Sequence, residues 1–176
     1  MITNESVLKA LKKTPNFRSF PDEGLLKLIE IGQILEFNKK DYIYKEIRKD
    51  DGDSDSEESF FIIVKGCVDV SIWENDHEVY LCTLGEGETV GETGIFPGMG
   101  RVDNVMPVED TKILEIKKEN FMKFMKEYQS ASNQILLIMI SCLIKKLQRS
   151  NRDLAFERRG DISQSMIDEL IQDITE

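Results

Sequence analysis

The stretch GETGIFPGMGRVDNV, residues 91–105, holds a carboxylate and a guanidinium on either side of a glycine-rich turn. Three glycines, one proline and one methionine lie between Glu92 and Arg101. Because glycine and proline are unfavourable inside helices and strands, the stretch predicts an irregular turn. Two interpretations of the acid and the base are open. They form either an exposed ion pair of little energetic value or a clamp for a small anionic ligand.

Length and composition limit the class of protein. The chain has 176 residues, 40% of them hydrophobic, which is enough for one domain with a core and a helical appendage. Its formal net charge of −10 predicts no nucleic-acid binding by this chain alone and no binding to anionic membranes. Three cysteines, Cys67, Cys82 and Cys142, are far apart, which predicts neither a disulfide framework nor a metal site and is typical of the cytoplasm.

The most apolar segment, ILLIMISCLI at residues 135–144, is followed by Lys145 and Lys146. It is much shorter than the ~20 residues that a membrane-spanning helix needs. The chain does not open with a cationic segment followed by an apolar one, so we expect neither membrane insertion nor export.

The period of the apolar residues changes along the chain. Residues 1–31 predict two short amphipathic helices, over 4–13 and 22–31. Residues 32–117 contain short segments rich in β-branched and aromatic residues, which predict strands: QILEF, DYIYKE, SFFIIV, CVDVSIW, EVYLCTL, VDNVM and TKILEI. So many short strands favour an antiparallel roll or sandwich over a parallel sheet.

Residues 118–158 return to a helical period, with a long helix predicted from about Ala131 to Phe156. One of its faces has the four-three spacing of a coiled coil over about three heptads. This face, the seam, consists of Leu136, Ile140, Leu143, Leu147, Ser150 and Leu154. A second apolar face holds Ile135, Ile138, Met139 and Cys142. Because a helix with two apolar faces needs two surfaces to pack against, we expect a homodimer through the seam.

The segment KDDGDSDSEES, residues 49–59, alternates Asp51, Asp53 and Asp55 like the ligands of a calcium loop. It lacks the glycine at the sixth position of such a loop, and Ile62 stands at the twelfth position where glutamate is required. We therefore interpret it as a solvated acidic loop.

The order of helix, β segments, glycine turn and helices resembles the cyclic nucleotide-binding domain family over roughly residues 15–158. FFIIVKG (60–66) and YIYKE (42–46) are similar to two strands of that family, and GEGETVGETGIFPGMGR (85–101) to its phosphate-binding cassette. The resemblance implies a mainly β domain with flanking helices. In such a domain an antiparallel β-roll (a double-stranded β-helix, or jelly roll) is followed by a long C-terminal helix.

The resemblance also implies roles for the residues of the turn. Arg101 would bind the cyclic phosphate with a planar, permanently charged fork, and Glu92 would accept a hydrogen bond from the ribose 2′-hydroxyl. Gly91, Thr93 and Gly94 would open a short helix whose N–H groups point at the phosphate.

Three positions depart from the family pattern. Ile47 stands where a glycine is usual, directly before the acidic loop. Asp103, two residues after Arg101, would share a strand face with it and could occupy the guanidinium. Val102 replaces a residue that is small in many cyclic AMP sites, whereas Thr or Ser there favours cyclic GMP in the family's kinases. Val102 therefore favours cyclic AMP over cyclic GMP, or else no ligand.

Within the family, KILEIKKENFMKFM (112–125) and IKKLQRSNRDLAF (144–156) are similar to the bacterial catabolite activator branch. That similarity places Ser150 and Asn151 at the positions that cap the adenine, since an asparagine can bond its edge as donor and acceptor. The alternative, that Ser150 is only a polar position of the seam, is equally open. Residues 159–176 resemble the hinge and first helix of that branch's DNA domain, and we predict a short amphipathic tail helix there without a helix-turn-helix.

The resulting hypothesis is a non-catalytic regulatory protein that senses cyclic AMP and signals through its C-terminal helices to an unknown effector protein. The alternative is a ligand-free domain that serves as a dimerisation or docking scaffold. An enzyme is disfavoured, because metal-dependent jelly rolls need several histidines and this chain has only His77. No metal or cofactor is expected.

Overall fold

The computed structural model describes residues 3–46, 58–75, 77–96 and 98–175. It begins with the two predicted helices, α1 at Asn4–Lys12 and α2 at Asp22–Glu30. Thr3 caps α1, since its side chain accepts a hydrogen bond from the Ser6 backbone while the Ser6 hydroxyl lies within reach of the Thr3 backbone N–H. Both helices bury one apolar face.

The centre of the fold is a pair of antiparallel sheets, which confirms the predicted β-roll. One sheet has the strand order β1-β7-β2-β5 and the other β4-β3-β6. The strands are β1 (Gln33–Phe37), β2 (Ser59–Lys65), β3 (Val68–Glu74), β4 (His77–Leu84), β5 (Thr89–Val90), β6 (Asn104–Pro107) and β7 (Thr111–Lys117).

Strand β2 has buried side chains on both faces of the first sheet. Its residues alternate between two cores, because successive side chains of a strand point to opposite faces. Phe60, Ile62 and Val64 join the core beneath the helices, whereas Phe61 and Ile63 join the core inside the roll. Six of its seven residues are buried as a result, and only Lys65 is exposed.

The structure differs from the predicted strands in two places. Residues 41–46, predicted as a strand, make only an isolated bridge between Tyr44 and Val105. Strand β5 was not predicted, because Thr89 and Val90 are too few residues to show a period.

The C-terminal part contains α3 at Lys118–Glu127 and α4 at Gln129–Thr175. The long helix therefore continues past the predicted end at Phe156, and no break separates the predicted tail helix at 159–176. Gly160 does not interrupt α4, since a single glycine costs a helix only about 1 kcal/mol. By its contacts the chain forms two compact units, residues 1–142 and 143–176.

The two predicted faces of α4 have different surroundings. Ile135, Met139 and Cys142 are buried, the first two in the core of the first unit. On the seam, Ile140, Leu143 and Leu147 are exposed. The predicted homodimer would cover these side chains.

Residues Gln129–Arg152 of α4 are long and apolar enough to cross a membrane, by length and composition alone. The uninterrupted apolar run at residues 135–144 is shorter, so it did not predict that the helix is long enough to span a membrane. Only 28% of the apolar window within this segment is buried, with Ile135 and Met139 in the core of the first unit. Residues 47–57, which include Ile47 and the aspartates of the acidic loop, lie outside the described residues, whereas Ser59 at the end of the predicted loop belongs to β2.

Candidate functional site

The glycine turn, which we define as residues 91–101, begins directly after β5. Pairing of Phe61 with Val90 holds its first residue beside the central strand β2. Gly91 has φ +71°, in the left-handed region that favours glycine, and it caps a short 3-10 helix at Glu92–Ile95. The Gly94 N–H closes this turn on the Gly91 carbonyl at 3.0 Å.

Arg101 returns the chain to the start of the turn, and its side chain is only 5% exposed. Its Nη1 donates to the Gly91 carbonyl oxygen at 2.9 Å, and its Nη2 donates to Ser59 Oγ at 3.0 Å. The guanidinium therefore links the first residue of the turn to the first residue of β2. A buried cation needs such partners, because burial removes its hydration.

Aromatic rings support the face of the same guanidinium. Its carbon Cζ lies 4.4 Å from the centre of the Tyr44 ring and 5.2 Å from that of Phe61. The two rings are stacked on each other, with centres 5.6 Å apart. Stacking occupies the face of a guanidinium and leaves its edge available for hydrogen bonds.

Tyr44 also reaches the acid that follows Arg101. Its hydroxyl donates to Asp103 Oδ1 at 2.9 Å. Burial, and then the nearby Asp103 carboxylate, raise the pKa of Tyr44 well above its ordinary value, so the hydroxyl keeps its proton and remains a donor. Asp103 precedes β6, which begins at Asn104, so the prediction that it lies on a strand is wrong.

Glu92 is the second buried charged residue of the turn, 4% exposed. The Thr89 hydroxyl donates to its Oε1 at 2.5 Å. Because Glu92 and Arg101 are both buried, the interpretation of an exposed ion pair across a surface turn is wrong.

Small residues let the backbone approach the guanidinium. A methyl group on Gly91 would lie 2.5 Å from Arg101 Nη1, and one on Gly94 would lie 2.6 Å from the same atom. Thr93 lies between them, and its buried hydroxyl has no hydrogen-bond partner within the part of the chain that the structure describes. Buried hydroxyls usually have partners, so this one could bond a group that enters the turn.

The remaining predicted site residues, Val102, Ser150 and Asn151, are exposed. Val102 is 54% exposed directly after Arg101. Ser150 and Asn151 lie on α4 in the second unit and are exposed. Among the residues that the structure describes, no group of three or more His, Cys, Asp or Glu side chains could hold a metal.

Sequence reasoning missed the residues that support the turn: Tyr44, Ser59, Phe61 and Thr89. Ser59 and Phe61 alternate along β2, so the period of two predicts that they share a face. No local signal connects Tyr44 with Arg101, because their contact depends on how distant segments pair.

The family model described as "Cyclic nucleotide-binding domain" matches residues 34–128, more than half of the chain. The chain belongs to the cyclic nucleotide-binding domain family. The match includes the glycine turn with Glu92 and Arg101 and ends at the last residue before α4.

Several proteins are similar to this cyclic nucleotide-binding domain. Human cGMP-dependent protein kinase 2 is 30% identical over 121 residues, which are 67% of this chain and 15% of the kinase. A solved cyclic nucleotide-binding domain from Methylobacillus flagellatus has a TM-score of 0.71 at 17% identity, covering 88% of this chain and 83% of its own. The catabolite activator protein of Thermus thermophilus has a TM-score of 0.63 at 18% identity, covering 82% and 63%.

The chain spans 10–15% of the length of the curated kinases that it matches. The structural neighbours include a catabolite activator protein, as the predicted branch implies, and at such low identity they establish the fold alone.

Proposed function

We propose that this domain is a non-catalytic sensor that binds a cyclic mononucleotide at the glycine turn. The observation that carries the proposal is the burial of Glu92 and Arg101 in one turn, where Gly91 and Gly94 let the backbone lie directly against the guanidinium. Two buried, oppositely charged side chains are costly unless they serve each other or a ligand.

The cyclic phosphate is a monoanion, and Arg101 supplies the charge to bind it. Tyr44 and Phe61 contact the face of the guanidinium, so a phosphate would bind at its edge by sharing or exchanging the hydrogen bonds to Gly91 and Ser59. The buried hydroxyl of Thr93 supplies a donor that has no partner in the described structure. The residues present are therefore suited to a phosphate group.

The ribose would be recognised by Glu92. Thr89 holds one oxygen of its carboxylate, and a carboxylate has further lone pairs for a 2′-hydroxyl. The hydrogen bond from Thr89 would fix the orientation of the acid before the ligand arrives.

We infer cyclic AMP as the preferred ligand and cyclic GMP as the competitor to test. Val102 has no hydroxyl with which to bond a guanine, and Asn151 could bond the adenine edge. The name of the human relative, a cGMP-dependent kinase, favours the competitor. The protein would act as a cytoplasmic homodimer. Ligand binding would shift the arrangement of its C-terminal helices, and an effector protein would respond to that shift.

A second candidate is a ligand-free scaffold for dimerisation or docking. It is favoured by the hydrogen bonds of Arg101, whose two terminal nitrogens already donate to Gly91 and Ser59. Binding a phosphate would require at least one of these bonds to be shared or exchanged.

Calorimetry of wild type with cyclic AMP separates the two candidates, because a ligand-free scaffold binds no nucleotide, and Glu92→Gln then tests the ribose contact. If Glu92 binds the ribose, the variant weakens cyclic AMP by about tenfold but leaves the affinity for 2′-deoxy cyclic AMP nearly unchanged, because the analogue lacks the hydroxyl concerned. Glu23→Gln, an exposed acid on α2, is the matched control. Equal losses for both nucleotides would contradict the assigned role of Glu92.

A further inference from the structure

Tyr44 contacts both charged residues at the end of the turn. Its ring lies against the guanidinium of Arg101, 4.4 Å from centre to carbon, and its hydroxyl bonds Asp103 at 2.9 Å. One side chain thus contacts a cation through its face and an anion through its edge.

The hydrogen bond between Tyr44 and Asp103 matters because Asp103 is only two residues from Arg101. A carboxylate two residues from Arg101 could form a charge-assisted pair with the guanidinium, and it would oppose an approaching phosphate. The hydrogen bond from Tyr44 holds one of its oxygens on the tyrosine. Burial keeps the tyrosine protonated, because it raises the pKa of the hydroxyl.

The β-bridge between Tyr44 and Val105 holds the tyrosine where it can contact both Arg101 and Asp103. The Val105 N–H donates to the Tyr44 carbonyl at 3.0 Å, so the backbone of the otherwise irregular segment 41–46 is tied to β6. The Tyr44 ring also stacks on Phe61, whose ring centre lies 5.2 Å from the guanidinium carbon of Arg101.

We propose that Tyr44 is a positioning residue of the phosphate site, whose ring supports the guanidinium of Arg101 and whose hydroxyl restrains the carboxylate of Asp103. This inference rests on the proposed function and names a residue that determines its affinity. The two roles are separable, since Tyr44→Phe keeps the ring and removes only the hydroxyl.

Calorimetry with cyclic AMP and cyclic GMP tests the inference on four proteins: wild type, Tyr44→Phe, Asp103→Asn and the double variant. We expect Tyr44→Phe to lower affinity about tenfold, because the released carboxylate competes for the guanidinium. In the Asp103→Asn background the same change has little effect, so the double variant regains affinity. Tyr42→Phe, which removes a hydroxyl that bonds Glu78 outside the turn, leaves affinity unchanged.

A merely structural role for Tyr44 would not give this rescue, because a loss of folding persists when Asp103 is neutral. The inference is overturned if wild type binds a nucleotide and Tyr44→Phe binds it equally well, or if Asp103→Asn does not restore the loss. If wild type binds neither nucleotide, the proposed function fails and this inference fails with it.

Discussion

At the scale of single residues, the turn requires a glycine at position 94, because a side chain there would be too close to its neighbours. Gly94 has an ordinary backbone conformation, yet a methyl group there would lie 2.6 Å from both Arg101 Nη1 and the Ser59 carbonyl oxygen. Because contacts this short require a shift of the backbone or of the guanidinium, the packing itself selects glycine.

We predict that Gly94→Ala lowers the free energy of unfolding by about 1–3 kcal/mol and weakens nucleotide binding, because Arg101 is displaced from Ser59. Denaturant unfolding and calorimetry measure the two effects. Gly85→Ala is the control, since a methyl group there meets nothing within 4 Å and should be neutral or slightly stabilising. Equal stability of the two variants would show that the turn adapts easily.

At the scale of secondary-structure elements, β2 connects the site with the rest of the fold. One face of β2 presents Ser59 and Phe61 to Arg101, and the other packs Phe60 and Ile62 beneath the helices. A change in Arg101 therefore acts on a strand that is buried on both faces.

The helix α4 carries the prediction of dimerisation. Leu143→Asp should dissociate a homodimer at tens of micromolar, because it places a charge in the centre of the apolar seam, while the β-roll stays folded. Sedimentation velocity measures the change in mass. Ser141→Asp adds the same charge at another exposed position of α4 and should leave the dimer intact. A monomeric wild type would contradict the prediction.

The elements also mark what a sequence can predict. Helices α1 and α2 and six of the strands follow from local periods, which are strong wherever one face is buried. The segment DYIYKE has the composition of a strand, yet most of its residues lack a partner strand, and pairing is not a local property. The predicted end of the long helix at Phe156 is wrong: the resemblance implied a hinge after it, whereas α4 runs without a break from Gln129 to Thr175.

At the scale of the whole molecule, the candidate site was predicted in part. Glu92 follows Gly91 and Arg101 follows Gly100, and this local pattern made both residues recognisable in the sequence. The contact between Tyr44 and Asp103 could not be predicted from the sequence, because it depends on the pairing of Tyr44 with Val105. Burial of the two charges likewise depends on contacts between distant segments, such as the pairing of β2 with β5 directly before the turn.

The central claim is that Arg101 binds a cyclic phosphate, and calorimetry of wild type and Arg101→Ala with cyclic AMP and cyclic GMP tests it most directly. We predict micromolar binding of cyclic AMP by wild type and at least a ~100-fold loss in Arg101→Ala, because the bound anion loses its cationic partner. Arg101→Lys should lose nearly as much, since a point charge cannot replace the planar fork. Arg18→Ala removes an exposed arginine and should bind like wild type. Absence of binding by wild type, or full binding by Arg101→Ala, would contradict the claim.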